Sequence, residues 1–208
     1  MTFAEQKLPM RSKQSGVTLV ELVIAIAIFA ILLAMAVPSF ESLIASTRVS
    51  TTTNDLLAAL AQARSEAIRR GQRVTICASA NGAQCANAGS WNQGWIIFTD
   101  GIPMGLPNAA PPNAIVDNGE TILSVAPATP ANIAIQGQAA VGQYVSFASN
   151  GQSRTIANAT QTGTIEVCTT SQTISDLRRA RDLIISASGQ VIMQSPTLNP
   201  IPNNCPNP

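Results

Sequence analysis

Only 11% of the 208 residues are Asp, Glu, Lys or Arg, less than half the usual quarter, against 46% apolar residues, and the net charge is +1. Histidine is absent, which excludes Ser-His-Asp and Cys-His catalytic arrangements and removes the commonest metal ligand. Near-neutrality is not the footprint of a strongly basic nucleic-acid binder. An apolar, charge-poor chain with four cysteines points instead to lipid and to an oxidising compartment.

Charge divides unevenly along the chain. Residues 1–16 hold Lys7, Arg11 and Lys13 against Glu5, a local +2, whereas the rest holds nine arginines against ten acids. From Val17 to Val37 runs VTLVELVIAIAIFAILLAMAV, whose one ionisable group is Glu21. At about 1.5 Å per residue this helix spans roughly 30 Å, the thickness of a bilayer core. It is too long for the apolar region of an ordinary secretory signal. Basic residues precede it, so a single pass is expected, with the N-terminus cytoplasmic and the remainder across the membrane.

A charge inside such a span costs on the order of 2.5–3.5 kcal/mol and calls for a partner. No partner for Glu21 exists within the span; the alternative is a glutamate near the helix end snorkelling to the headgroups. The run Gly16-Val17-Thr18-Leu19-Val20-Glu21, after a short basic leader and before the apolar stretch, resembles the class III signal of type IV pilins and pseudopilins. That resemblance implies cleavage by prepilin peptidase after Gly16, N-methylation of Val17, and pairing of Glu21 with the N-terminal amine of a neighbouring filament subunit. It also implies a helix kink at Pro38. Val17 stands where the family usually has phenylalanine. Pairing lets two charges leave water together rather than one alone.

Beyond Pro38, which should bend the helix without ending it, residues 39–70 contain no Gly and no further Pro. Val49, Thr53, Leu56, Leu60, Ala63 and Ala67 recur at spacings of four and three, an amphipathic stripe able to pack under a sheet, with Leu57 and Ile68 widening it. Gly71 supplies the stop. The pattern then turns to strands, expected at Arg73–Ser79, Gly94–Thr99, Thr121–Ala126, Tyr144–Ala148, Thr164–Thr169, Asp182–Ala187 and Gln190–Gln194, with turn signals at Asn81-Gly82 and Asp100-Gly101. Four segments follow: a leader over 1–16, a transmembrane or filament-core helix over 17–39, its amphipathic continuation over 40–70, and a periplasmic β-rich head over 71–208. The class is α+β.

The segment Asp55–Cys77 and the W-x-x-G-W-x-I-F arrangement over residues 91–98 resemble the minor pilins of the GspH/FimT type. The resemblance implies a type IV pilin fold, a long N-terminal helix packed on a β-sandwich-like head. Trp91 and Trp95 could offer a stacking platform, but so few aromatic residues favour the core.

Cys77 and Cys85 lie eight apart across the Asn81-Gly82 turn, which favours a disulfide there and a second one, Cys168 to Cys205, pinning the tail; four cysteines leave three pairings open. Arg178, Arg179 and Arg181 form the one dense basic cluster of the head. Some relatives bind DNA through a Gly-Arg-x-Arg stretch near the C-terminus, and the corresponding place here, Gly189-Gln190-Val191-Ile192, lacks both arginines. A solvated surface or subunit contact is therefore the favoured reading of the cluster, and DNA the weaker one. Asp100, Asp117 and Glu120 match no calcium-loop signature, and Asn158-Ala159-Thr160 is a formal glycosylation triplet. No metal, cofactor or catalytic activity is expected. The reading is a minor pilin assembling with other pilins in a type IV pilus, with priming at the tip. The alternatives are a type II secretion pseudopilus component and a DNA-binding tip subunit; the four cysteines favour the pilus.

Overall fold

The structure, a computed structural model, describes residues 16–86, 90–101, 110–171, 174 and 179–196. Two compact units meet at Phe40 and Glu41. Helix α1, Leu19–Arg70, contributes to both. It begins at Leu19 rather than Val17 because Thr18 caps it. It ends where Gly71 takes φ +65° and its N–H bonds to the carbonyl of Ile68, a left-handed stop that costs glycine little.

Among the described residues the second unit carries eight strands: β1 Val74–Ala78, β2 Trp95–Thr99, β3 Ile122–Ala126, β4 Ile133–Gly137, β5 Tyr144–Phe147, β6 Gly163–Thr169, β7 Ala180–Ile185 and β8 Val191–Gln194. They form two four-stranded antiparallel sheets, ordered β3-β2-β1-β5 and β4-β6-β7-β8. Val49, Leu56, Leu60, Ala63 and Ala67 join the inward residues of both sheets in one buried core, among them Val74, Ile76, Ile97, Phe147, Ile165 and Leu183. Thr53, also fully buried, bonds its hydroxyl to the carbonyl of Val49 at 2.6 Å and so brings no unsatisfied group into the core. Leu57 packs against the core from its margin, but Ile68, expected to widen the stripe, is 52% exposed.

Two strand expectations need correction. Ile133–Gly137 is a strand the sequence did not announce: Ile133 and Ile135 enter the core, and Ala134 between them faces outward. β7 starts at Ala180, two residues before the expected Asp182. Trp91 is fully buried and its indole N–H donates to the carbonyl of Val141 at 3.3 Å; Trp95 is 5% exposed. Both rings belong to the core, with little surface left for stacking.

On the outward face of the first sheet Cys77 and Cys85 form a disulfide, packed with Ile96, Phe98, Val116 and Tyr144. Closing so short a loop contributes about 2–3 kcal/mol in the chain-entropy description. Cys168, on the outward face of the second sheet, is also disulfide-bonded. Its expected partner Cys205 lies outside the described residues.

Candidate functional site

The N-terminal unit is built from very few signals. Gly16, Val17 and Thr18 are not helical; α1 starts at the next residue. The hydroxyl of Thr18 accepts the N–H of Glu21 at 3.3 Å and its carbonyl accepts the N–H of Leu22 at 3.1 Å, the bonding of an N-cap. Glu21 is the acidic residue of the first turn, where a carboxylate complements the positive end of the helix dipole. The spacing Thr-x-x-Glu is that of a capping box, the sequence signal for this helix start.

Every described residue from Gly16 to Ala34 is exposed. Leu19, Val20, Leu22, Val23, Ile24 and Ile26 alone point around the whole circumference, and the run continues through Ile28, Phe29, Ile31, Leu32 and Leu33. A helix apolar on all sides is not a surface helix of a soluble domain. Burying each such side chain is worth about 1.5–3 kcal/mol, so this segment holds a large unrealised drive toward lipid or other helices. Among the described residues no helix is long and apolar enough to cross a membrane. The described side chains of the run stop at Ala34, while the apolar sequence continues to Val37. Pro38 lies within α1, and its bend is not among the described features.

On the head, the candidate carboxylates Asp100, Asp117 and Glu120 make hydrogen bonds within the fold. Asp100 is 1% exposed; its carboxylate accepts from the Thr75 hydroxyl at 2.5 Å and from the N–H groups of Asn113 and Ala114 at 2.9 and 3.2 Å. Glu120 accepts the N–H groups of Gly101 and Asp117, and Asp117 accepts from the Asn113 amide. These oxygens tie the loop after β2 to the first sheet. Among the described residues no group of three or more His, Cys, Asp or Glu side chains is placed to hold a metal.

Of the three clustered arginines, Arg178 lies outside the described residues. Arg179 directly precedes β7, and Arg181 sits within it, its Nη1 donating to the carbonyl of Ala180 at 2.7 Å. In the formal glycosylation triplet Asn158 has φ +62°, its side-chain oxygen accepts from Arg73 Nη2, and the Ala159 N–H bonds the Thr155 hydroxyl.

The sequence gives no hint of a polar ladder across the outward face of the second sheet. Gln136, Glu166, Asp182 and Gln194 are successive cross-strand partners on β4, β6, β7 and β8. Two carboxylates thus stand side by side, and one oxygen of the buried Asp182 has no hydrogen-bond partner among the described residues. Burial pushes both above the usual carboxylate range, and Asp182 raises Glu166 further. A raised native pKa favours the protonated form. That stability is therefore complete below the unfolded value of about 4 and is lost as pH rises through the native value. Glu166→Gln should raise the unfolding midpoint at pH 7 and leave it unchanged below about pH 4, as thermal scans at both pH values would read.

Comparison with known proteins supplies the rest. No curated protein is similar in sequence. The type IV minor pilin FimU of Pseudomonas aeruginosa strain PAO1 shares the fold, with a TM-score of 0.50 and 19% identity over 73% of this chain and 94% of that one. The minor pseudopilin EpsH of the Vibrio cholerae type 2 secretion system matches at TM-score 0.44 and 8% identity, over 73% of this chain and 99% of that one. The prokaryotic N-terminal methylation motif matches residues 11–37, which bracket the Gly16–Val17 bond and Glu21. The family model described as type II transport protein GspH matches residues 52–189, from the buried stripe of α1 to the turn before β8. The chain belongs to the GspH family.

Proposed function

We propose that this protein is a minor pilin, made as a membrane-held precursor and assembled into a type IV pilus through its N-terminal helix. The basic leader, Lys7, Arg11 and Lys13, holds the N-terminus in the cytoplasm; residues 17–37 cross the inner membrane and the head stands in the periplasm. Prepilin peptidase removes residues 1–16 and Val17 is N-methylated. The helix then leaves lipid for the filament, near its tip, where Glu21 neutralises the amine of a neighbouring subunit. The observation that carries this reading is a helix exposed and apolar all round, interrupted by one carboxylate in its first turn. Packing and charge neutralisation perform the function; no bond-making chemistry of the chain's own is needed.

Processing is the step most open to test. Gly16→Val places a branched side chain where the family's peptidase accepts glycine, and the leader should stay attached. Membranes from cells carrying this variant should contain only the longer chain by mass, and normal trimming would reject the assignment of the cut site. A second reading, a subunit of a type II secretion pseudopilus, is favoured by the description of the matched family. A deletion strain separates the two: loss of surface pili supports the first, and periplasmic retention of exported proteins supports the second.

A further inference from the structure

We propose that Thr18 is a positioning residue for leader removal: its hydroxyl fixes the start of α1 and so keeps the Gly16–Val17 peptide bond outside the helix. The inference rests on the cleavage site proposed above. α1 begins at Leu19, the Thr18 hydroxyl accepts the N–H of Glu21 at 3.3 Å, and Gly16, Val17 and Thr18 are non-helical, with Val17 71% exposed. The matched methylation motif brackets the same bond independently.

The chemistry explains why that boundary matters. Hydrolysis adds water at the Gly16 carbonyl carbon; the C–N bond breaks, the hydroxyl stays on Gly16 as part of its new carboxylate, and a proton goes to the Val17 nitrogen, which leaves as the amine. A peptidase needs that carbonyl free and the chain extended. Were the helix to run through it, the Gly16 carbonyl would accept the N–H of Val20, four residues on, and a turn would have to unwind before attack. Thr18 prevents this because an N-cap residue holds non-helical dihedrals while its side chain satisfies an otherwise orphaned N–H of the first turn. The next residue upstream with a side-chain oxygen able to cap is Ser15. Moving the cap from Thr18 to Ser15 would carry the scissile bond into the first helical turn, opposed only by the poor helix propensity of Gly16.

The test follows leader loss from the full-length precursor in host membranes by pulse-chase and mass. Thr18→Val keeps the shape and removes the acceptor, and should slow cleavage about three- to ten-fold. Thr18→Ser and Thr18→Asn, which differ in shape but cap well, should be trimmed at the parental rate. Ser15→Ala combined with Thr18→Val removes the competing cap and should recover most of the lost rate, a rescue that loss of a direct contact with the peptidase would not show. Parental cleavage of Thr18→Val overturns the proposal. So does slow cleavage of Thr18→Asn, or failure of the double variant to recover. An unmodified precursor that is never trimmed overturns the cleavage reading itself, and the role of Thr18 with it.

Discussion

Glu21→Val should leave the precursor in the membrane yet remove the protein from filaments. Valine makes the span more apolar, so insertion is no worse than before; an ionised residue within it is the costly one, by about 2.5–3.5 kcal/mol at a helix centre. Assembly is different. In the filament the amine of an adjoining subunit would lose its counter-charge in an apolar surrounding, and breaking one side of a buried pair costs about 3–5 kcal/mol at each contact. Glu21→Gln should fail nearly as badly, because it keeps the shape but not the charge. Cell fractionation and immunoblotting of sheared filaments read both steps. Normal incorporation of either variant would contradict the pairing.

Gly189→Ala should be the most disruptive single methyl group on the described part of the head. Gly189 lies at φ +77°, and an added Cβ would stand 2.0 Å from the carbonyl oxygen of Gly151. That same oxygen accepts Nε of Arg64 at 3.0 Å, while Arg64 Nη2 reaches the carbonyl of Ser188 at 3.1 Å. One helix side chain thus holds a turn beside each sheet, the one after β5 and the one between β7 and β8. The methyl group would strain the backbone and push apart the two carbonyls that Arg64 gathers, a loss of about 3–5 kcal/mol and roughly 10 °C in midpoint. Gly71→Ala is the control. Its φ is +65° but nothing lies within 4 Å, so only the left-handed backbone penalty of about 1–2 kcal/mol applies. Thermal unfolding of the full chain in detergent compares the two, and equal destabilisation would show that the Gly151 contact does not matter.

The parts of this architecture legible in the sequence are those encoded locally. The stripe from Val49 to Ala67 follows the helical repeat, and all six of its residues are buried. β1 and β2 pair in register from Val74 with Thr99 to Ala78 with Trp95, and each is followed by one of the Asn-Gly and Asp-Gly turn signals. β4 escaped because Ala134, the residue that should mark the polar face, is apolar and of a type depleted in strands. Ile68 misled for the opposite reason: its spacing fits the stripe, but it lies beside the glycine turn at Gly151 and stays half exposed. The Arg64 clamp joins residues 87 and 124 positions apart, and the Glu166–Asp182 pair depends on strand register. No local pattern encodes either. The N-terminal site stands between these cases. The roles of Gly16, Val17 and Glu21 follow from the resemblance of that run to a prepilin signal, whereas the cap made by Thr18 is signalled by the Thr-x-x-Glu spacing and located by the start of the helix.

The most direct measurement is the mass of the N-terminal peptide of this protein recovered from purified filaments. That peptide should begin at Val17, carry one additional methyl group on its amine and contain Glu21 unmodified. Recovery of a chain that still begins with residues 1–16, or absence of the protein from filaments that assemble normally in its host, would contradict the proposed processing and assembly.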